Sequence, residues 1–559
     1  MTANRFAPER PDEIEWDVVV VGTGMGGATA GYELARLGRR VLFIEKGLFL
    51  QGQSASAGGR HQSEGRLATN PDPTDESPET RLKLGRWPLR IQGRTNFREM
   101  EFFGPRGCGT GGTTLLYAAA LERFFPADFQ PRVNFPDAVD STLPERWPIS
   151  YDDLRPFYER AEVLFRVKGT PDPLGRNEQS RLRTPPPLSP RDQHFLDSFG
   201  RLGLHPYRVH VGYEFVDGCT GCPAGLCFRG CKNDAGSICL VPALEKHGAG
   251  LLPECEVLKI EAGGSDVKGI QCRWKGQTIS IKAKIVVLAA GAYMTPVLLL
   301  NSKSEAWPEG LANRSGLVGR NLMFHAGDFI ALKPLKPVSG VGPQKTLAIN
   351  DFYHSEGQKL GTFQTLGAAI SVGQIMQYMR DVAERDPEWW KKLASIRPYW
   401  WRKLSSPAVR LVALFMYYVL NFRNAAVWTN IIEDLPYFDN RIIADPQANN
   451  GMRFEYRYSE ELKNRVLLFR KRLAKALSPH KMIILSSDYS INYAHVCGTC
   501  RFGDDPQTSV LDRNNRAHDL SNLYVVDASF FPSSGGTNPS LTIAANALRV
   551  AGSIHQQLG

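Results

Sequence analysis

The chain has 559 residues, with 67 Lys and Arg against 57 Asp and Glu and a formal charge of +10. Its 42 % hydrophobic and 22 % charged content is ordinary globular usage, which excludes disordered and fibrous classes, and its length allows a large core without disulfide or metal staples. No run of about 18 uncharged apolar residues occurs, so no membrane-spanning helix is predicted.

Met1 to Trp16 mixes Arg, Asp and Glu without an apolar stretch. No signal peptide is predicted, and a cytoplasmic or peripheral inner-membrane location is expected. The ten cysteines are then expected as thiols, and clustered ones point to metal or redox chemistry. Asp17 to Val21 reads as a strand buried on both faces. Gly22, Gly24 and Gly27 follow with the spacing G-x-G-x-x-G, Met25 standing inside it. Ala28 to Leu37 is predicted as a helix closed by Gly38, and Arg40 to Ile44 as a second strand ending in Glu45. Each part serves a dinucleotide. The first glycine turns the chain, the second admits the pyrophosphate, and the third lets helix and strand pack. The helix N-terminus offers N–H groups to phosphate, and the acid accepts ribose hydroxyls. NAD and FAD share this fingerprint, so it does not choose between them.

Asn70 to Pro78, polar and proline-rich, is predicted as a surface loop. Trp147 to Tyr158 reads as a loop entering a helix, with Ser150 as N-cap and Asp153 three residues on. Cys219, Cys222, Cys227 and Cys231 form a C-x2-C-x4-C-x3-C array. Thiolates at that spacing can ligate one iron–sulfur cluster or one zinc, the alternative being a Gly/Cys loop of free or paired thiols. Cys239, Cys255 and Cys272 are isolated in sequence and expected in the core. Short strands are predicted from Glu256 to Leu288 and again from Asn350 to Gly373.

Residues 389–423 carry seven basic and no acidic side chains, so the other 524 residues hold only 10 − 7 = +3. Tryptophans and tyrosines are interleaved, and Leu411 to Leu420 is apolar over about half the length that spans a bilayer. An interfacial helix on an anionic membrane has this pattern; a lid over the active site and a subunit contact are the alternatives. No nucleic-acid recognition motif accompanies the charge, so nucleic acid is not an expected partner.

Near the C-terminus come His495-Val496-Cys497-Gly498-Thr499-Cys500, then a strand from Asn522 to Asp527, a glycine turn with Thr537-Asn538-Pro539, and a last helix from Ile543 to Ile554. Together with Gly107 to Thr113, Gly291 to Leu299 and Gly319 to Met323, these motifs resemble the glucose-methanol-choline (GMC) oxidoreductase family of FAD enzymes over nearly the whole chain. The resemblance implies an α/β fold. A Rossmann-like FAD-binding domain would be assembled from 12–130, 211–325 and 486–559. An α+β substrate-binding domain of antiparallel sheet and helices would come from 131–210 and 326–485.

The resemblance further implies that His495 accepts the substrate hydroxyl proton beside the flavin, with Asn538 as its partner. The cofactor would be held by Gly22, Gly24, Met25, Gly27, Glu45, Gly111, Gly112, Thr113, Val257, Asp527, Ala528, Asn538, Pro539, Leu541 and Thr542. Relatives usually offer an Asn a few residues after Gly112, where this chain has Thr113-Thr114-Leu115-Leu116-Tyr117. Flavin contacts there fall to the threonine hydroxyls or the backbone. The chemistry agrees, because oxidising CH–OH needs a hydride acceptor and a proton acceptor, which His supplies near neutral pH. An Asn amide N–H can hold the developing alkoxide without competing for the proton.

The cysteine array is similar to that of flavin sugar dehydrogenases, which carry an iron–sulfur cluster, and to a stretch in cholesterol-oxidase-like and long-chain alcohol oxidase members. The expected activity is oxidation of an alcohol, a lipophilic alcohol or sterol first, to an aldehyde or ketone, with oxygen, a quinone or a cytochrome as electron acceptor. A sugar or polyol dehydrogenase using a cluster, and a flavin lyase or decarboxylase, are the alternatives.

Overall fold

The computed structural model describes residues 3–52, 77–175, 180–370, 372, 375, 410–419, 422–486 and 491–559. The continuous apolar runs of the sequence become five parallel strands: β1 (Trp16–Val21), β2 (Val41–Ile44), β3 (Gly250–Leu252), β4 (Ala283–Leu288) and β5 (Leu523–Val525). Their order is β5-β4-β1-β2-β3, so the first and last parts of the chain share one sheet. Val18, Val19 and Val20 are fully buried, as in a sheet covered on both faces.

Three helices follow strands of this sheet: α1 (Met25–Arg36) after β1, α2 (Gly291–Asn301) after β4 and α3 (Ser540–Gln557) beyond β5. α1 starts three residues before the predicted Ala28, because Met25-Gly26-Gly27 of the glycine-rich segment is itself the first turn. Its C-terminal end is as predicted, with Leu37 as C-cap and Gly38 at φ +84°. None of the three N-termini is closed by a side-chain cap.

The second layer is an eight-stranded antiparallel sheet. Its main path runs Met482–Ile484, Phe329–Leu332, Ala426–Glu433, Gly361–Ala369, Leu347–Ile349 and Tyr207–Arg208. Met323–Ala326 pairs on one side with Ala426–Glu433 and on the other with Ile491–Cys497, which brings residues far apart in sequence side by side. This sheet has its own core, where Phe363 stacks on Trp428 at 4.9 Å between ring centroids and the helices Pro190–Arg201 and Glu460–Ala476 supply Phe199 and Phe469.

The helix Tyr151–Leu164 starts as predicted. Ser150 Oγ accepts the Asp153 N–H at 3.1 Å, while the Asp153 carboxylate accepts the Ser150 N–H at 2.8 Å. It packs against α3 in the core of the parallel sheet. Of the loop predicted from Asn70 to Pro78, residues 70–76 lie outside the described residues. Pro78 does not end a loop but opens the helix Pro78–Lys83, capped by Ser77; at N1 the proline loses no intrahelical hydrogen bond. Residues 389–409 and 420–421 of the basic segment also lie outside the described residues.

Candidate active site

A cavity of about 1180 Å³ opens above the carboxyl ends of β1, β2 and β4 and reaches the antiparallel sheet. Pockets for small organic ligands run to about 1,000 Å³, so there is room for a large cofactor and a substrate beside it.

At the β1 end, Gly22 has φ +97°, and a β-carbon there would stand 2.4 Å from the Ala289 carbonyl oxygen. A β-carbon on Gly24 would meet nothing within 4 Å, so the open space over Gly24 is the approach to the uncapped N-terminus of α1. Glu45 is buried at this end, accepting from the Thr23 N–H at 3.1 Å, the Thr23 hydroxyl at 2.6 Å and the Gly47 N–H at 2.9 Å. Burial pushes its pKa up against these hydrogen bonds. Val257 lines the same cavity. A glycine cradle, an open helix N-terminus and an acid at the end of β2 fit the pyrophosphate and ribose of FAD.

Gly22, Gly24, Met25, Glu45, Gly112, Thr113, Val257, Asp527, Ala528, Asn538 and Pro539 line the cavity. Gly27, Gly111, Leu541 and Thr542 stand behind its wall. Gly27 lies against the Gly22 carbonyl and Ala289, while the Gly111 N–H donates to Thr23 Oγ1 at 3.2 Å. Leu541 is fully buried, and Thr542 shares a 2.7 Å hydrogen bond with the Tyr158 hydroxyl. The Asp527 carboxylate accepts from the Gly291 N–H at 2.9 Å and the Thr295 hydroxyl at 2.5 Å, fastening β5 to α2. Thr113 and Thr114 also use their hydroxyls within the protein, with Thr113 accepting from Gly107 N–H at 3.2 Å and Thr114 donating to Gly111 carbonyl at 2.6 Å.

His495 and Asn538 both line the cavity, and His325 links them: it contacts His495 and the carbonyls of Ser534 and Gly535, four and three residues before Asn538. Behind His495 stands His325, which the sequence did not single out; the register of Met323–Ala326 on Ile491–Cys497 puts the two side by side. Their Nδ1 atoms are 2.9 Å apart, and His325 Nε2 lies 3.1 Å and 2.9 Å from the Ser534 and Gly535 carbonyl oxygens. Carbonyl oxygens only accept, so His325 Nε2 carries a proton. Burial pushes the His325 pKa down to about 4, so the ring is neutral at pH 7 and its Nδ1 is an acceptor. The proton in the Nδ1–Nδ1 contact therefore belongs to His495. That leaves the His495 Nε2 lone pair without a protein partner among the described residues. Burial, then the neighbouring His325 and Lys345, holds His495 well below the ordinary histidine pKa and keeps the ring neutral, with its proton on Nδ1.

Asn538 Oδ1 accepts from Gln364 Nε2 at 2.7 Å, and Gln364 Oε1 accepts from Lys345 Nζ at 2.6 Å. Burial pushes Lys345 down to about 7. The loop that carries Asn538 is anchored from behind. Gly535 N–H donates to Glu433 at 3.1 Å and Gly536 N–H to the Tyr353 hydroxyl at 2.9 Å, which in turn donates to Asp128 at 2.6 Å. Lys359, with no exposed side-chain surface, is ion-paired to both Asp128 and Glu433. The antiparallel sheet and its flank give the cavity the apolar Phe329, Leu366, Ala368, Val427, Ile431 and Leu485, with Thr429 and Lys345 as polar lining residues among them.

The cysteine array converges behind Pro223 and Ala224, which touch the cavity. Cys231 Sγ lies 3.3 Å from Cys219 Sγ and 3.2 Å from Cys227 Sγ, and Cys227 also hydrogen-bonds Cys222. Among the described residues, no group of three or more His, Cys, Asp or Glu side chains is set out to hold a metal ion. All ten cysteines are free thiols. Cys255 and Cys272, expected as isolated core residues, are buried but share a thiol hydrogen bond, Cys255 just before the strand Glu256–Ala262 and Cys272 in the strand paired with it. His518 has a structural partner in Ser509, 2.8 Å away.

The N- and C-terminal models of the family described as GMC oxidoreductase match residues 17–327 and 447–547. The chain is 28 % identical to 6'''-hydroxyparomomycin C oxidase of Streptomyces lividus, over 97 % of this chain and 92 % of that protein. It is 26 % identical to the fructose dehydrogenase large subunit of Gluconobacter japonicus, over 97 % of this chain and 98 % of that one. The solved structure of pyridoxine 4-oxidase from Mesorbium loti superposes with a TM-score of 0.64 at 19 % identity, covering 97 % of this chain and 99 % of that chain, which gives the fold.

Proposed function

The chain belongs to the GMC oxidoreductase family of FAD enzymes that oxidise CH–OH groups, and from that premise we propose that it oxidises a lipophilic alcohol or sterol with His495 as proton acceptor and Asn538 as the donor that holds the alkoxide. When bound, FAD supplies the acceptor for the hydride that leaves the carbinol carbon as the carbonyl forms. Gly22, Gly24, Met25 and Glu45 hold its dinucleotide half, with Gly112, Thr113 and Val257 beside them. His495 Nε2 takes the hydroxyl proton, and His325 positions that ring by accepting at Nδ1, so that only the substrate-facing nitrogen is basic. Oxygen, a quinone or a cytochrome would serve as the final electron acceptor.

The observation that carries the reading is that the lining of one cavity holds both a histidine nitrogen left as an acceptor and an amide whose NH2 group has no protein partner among the described residues. A hydroxyl needs an acceptor for its proton and a donor for its oxygen, and these two side chains supply one of each.

Apolar walls support the lipophilic substrate. So does the helical segment 410–418. Leu411, Val412, Phe415 and Tyr418 are 46–67 % exposed, while Ala413, Met416 and Tyr417 belong to one hydrophobic cluster with Leu366, Val427 and Leu485 of the cavity wall. An exposed apolar face on the wall of the substrate cavity suits contact with a membrane surface through 389–423. No helix among the described residues is long and apolar enough to cross a membrane. Long-chain alcohols, sterols and sugars, presented anaerobically with anionic vesicles, test both points. The two lipophilic classes should bleach the flavin band faster than sugars, and the protein should co-float with vesicles in a salt-sensitive way. Bleaching by sugars alone, without flotation, contradicts the proposal.

That outcome favours the second reading, a sugar or polyol dehydrogenase. The fructose dehydrogenase relative and the gathering of Cys219, Cys222, Cys227 and Cys231 beside the cavity support it. It requires iron and acid-labile sulfide in anaerobically purified protein, and their absence removes the cluster.

A further inference from the structure

We infer that Lys345 and Gln364 are positioning residues that fix which end of the Asn538 amide faces the substrate. The inference rests on the role of Asn538 given above and concerns residues that no sequence motif marked.

The polarity follows from the donor inventory. Lys345 Nζ lies 2.6 Å from the Thr365 carbonyl oxygen and 2.6 Å from Gln364 Oε1. As an ammonium Lys345 has donors only, and even as a neutral amine it keeps two N–H groups, one for each oxygen. With its oxygen turned to Lys345, Gln364 must present Nε2 to its other neighbour. That neighbour, Asn538, must in turn present Oδ1 to accept at 2.7 Å. Asn538 Nδ2 is left toward the cavity, without a protein partner among the described residues. A lone amide rotates between two nearly isosteric states; this one is set from a buried terminal two hydrogen bonds away.

The backbone holds the terminal in place. Thr365 Oγ1 accepts from the N–H of Thr346 at 2.8 Å, tying the residue after Lys345 to the strand that carries Gln364. Lys345 and Gln364 are both buried. Lys345 also lines the cavity, so the relay runs along its wall.

A double-mutant cycle on the holoenzyme tests the relay. Lys345→Met and Gln364→Met, each close to the native length, should slow anaerobic flavin reduction by the best alcohol about tenfold, with the loss in kcat rather than KM. Asn538→Ala should cost about 10²-fold or more, as for a lost oxyanion donor. Combined with Asn538→Ala, neither Met variant should slow the reaction further. A second cycle needs no turnover: the Kd of a long-chain carboxylate, titrated by its perturbation of the flavin spectrum, should rise in Gln364→Met but not when Asn538 is already alanine. Additive losses in either cycle, or a Gln364→Met enzyme with the wild-type rate and Kd, would overturn the relay. If no alcohol reduces the wild-type flavin, the proposed function fails while the carboxylate cycle still decides the relay.

Discussion

Replacing His495 with Gln is expected to lower the rate of flavin reduction by alcohol about 10²–10⁴-fold, the range supplied by a positioned general base. Gln keeps a polar side chain of similar reach but has no basic nitrogen. FAD content should be unchanged, because Glu45, Gly24 and the N-terminus of α1 lie at the other end of the cavity. The mechanism concentrates on this residue for a geometric reason. His325 accepts at Nδ1 and donates to two carbonyls at Nε2, so its hydrogen bonds direct the basicity of the pair to His495 Nε2. His495→Gln protein that is FAD-replete and reduced at the wild-type rate contradicts the assignment. Stopped-flow absorbance under anaerobic conditions measures it.

The largest effect on stability is expected at Lys359. Its side chain has no exposed surface and faces two carboxylates, Asp128 and Glu433, that are equally buried. Burial alone would push Lys359 down, but Asp128 and Glu433 hold it above the ordinary lysine pKa. Lys359→Met removes the ion-pair partner of two buried carboxylates and leaves only the more distant Arg465 charge acting on Glu433, a change that costs about 3–5 kcal/mol in other buried pairs. The urea midpoint should fall accordingly. Activity should fall as well, because the same carboxylates and Tyr353 anchor Gly535 and Gly536 three and two residues before Asn538. A variant with a wild-type urea midpoint would mean that the triad is not the anchor it looks to be. Adding Glu433→Gln to Lys359→Met removes one orphaned charge and should restore part of the lost stability.

What the sequence made legible is what local physics determines. The turn at Gly22, the acid Glu45 at the end of β2 and the Ser150–Asp153 cap each depend on residues within one supersecondary unit, and each stands where its spacing placed it. The start of α1 differs for an equally local reason: the helix is predicted from Ala28, whereas Met25, Gly26 and Gly27 already form its first turn. Pro78 shows the ambiguity of proline, which suits a loop and the first turn of a helix alike.

His325, Gln364, Lys345 and Lys359 were not legible, and the reason is topological. His325 meets His495 across 170 residues through a strand pairing, and Gln364 meets Asn538 across 174 where a strand passes a loop; no local pattern reveals either. The one available hint was that His325 lies two residues beyond the Gly319 to Met323 motif. Lysine is rarely buried, so nothing in the sequence marks Lys345 and Lys359, which the fold encloses. The cysteine array was visible as a cluster, but its spacing alone did not specify thiol contacts of 3.2 and 3.3 Å.

The central claim is that a carbinol C–H bond is broken while His495 holds the hydroxyl proton. Rapid anaerobic mixing of the FAD-bound enzyme with a long-chain primary alcohol, protonated or deuterated at the carbinol carbon, tests it most directly. The account predicts stoichiometric bleaching of the flavin band, formation of one aldehyde per flavin, and slower bleaching with the deuterated alcohol. Product formation with the flavin band intact, as a lyase or decarboxylase would give, contradicts it.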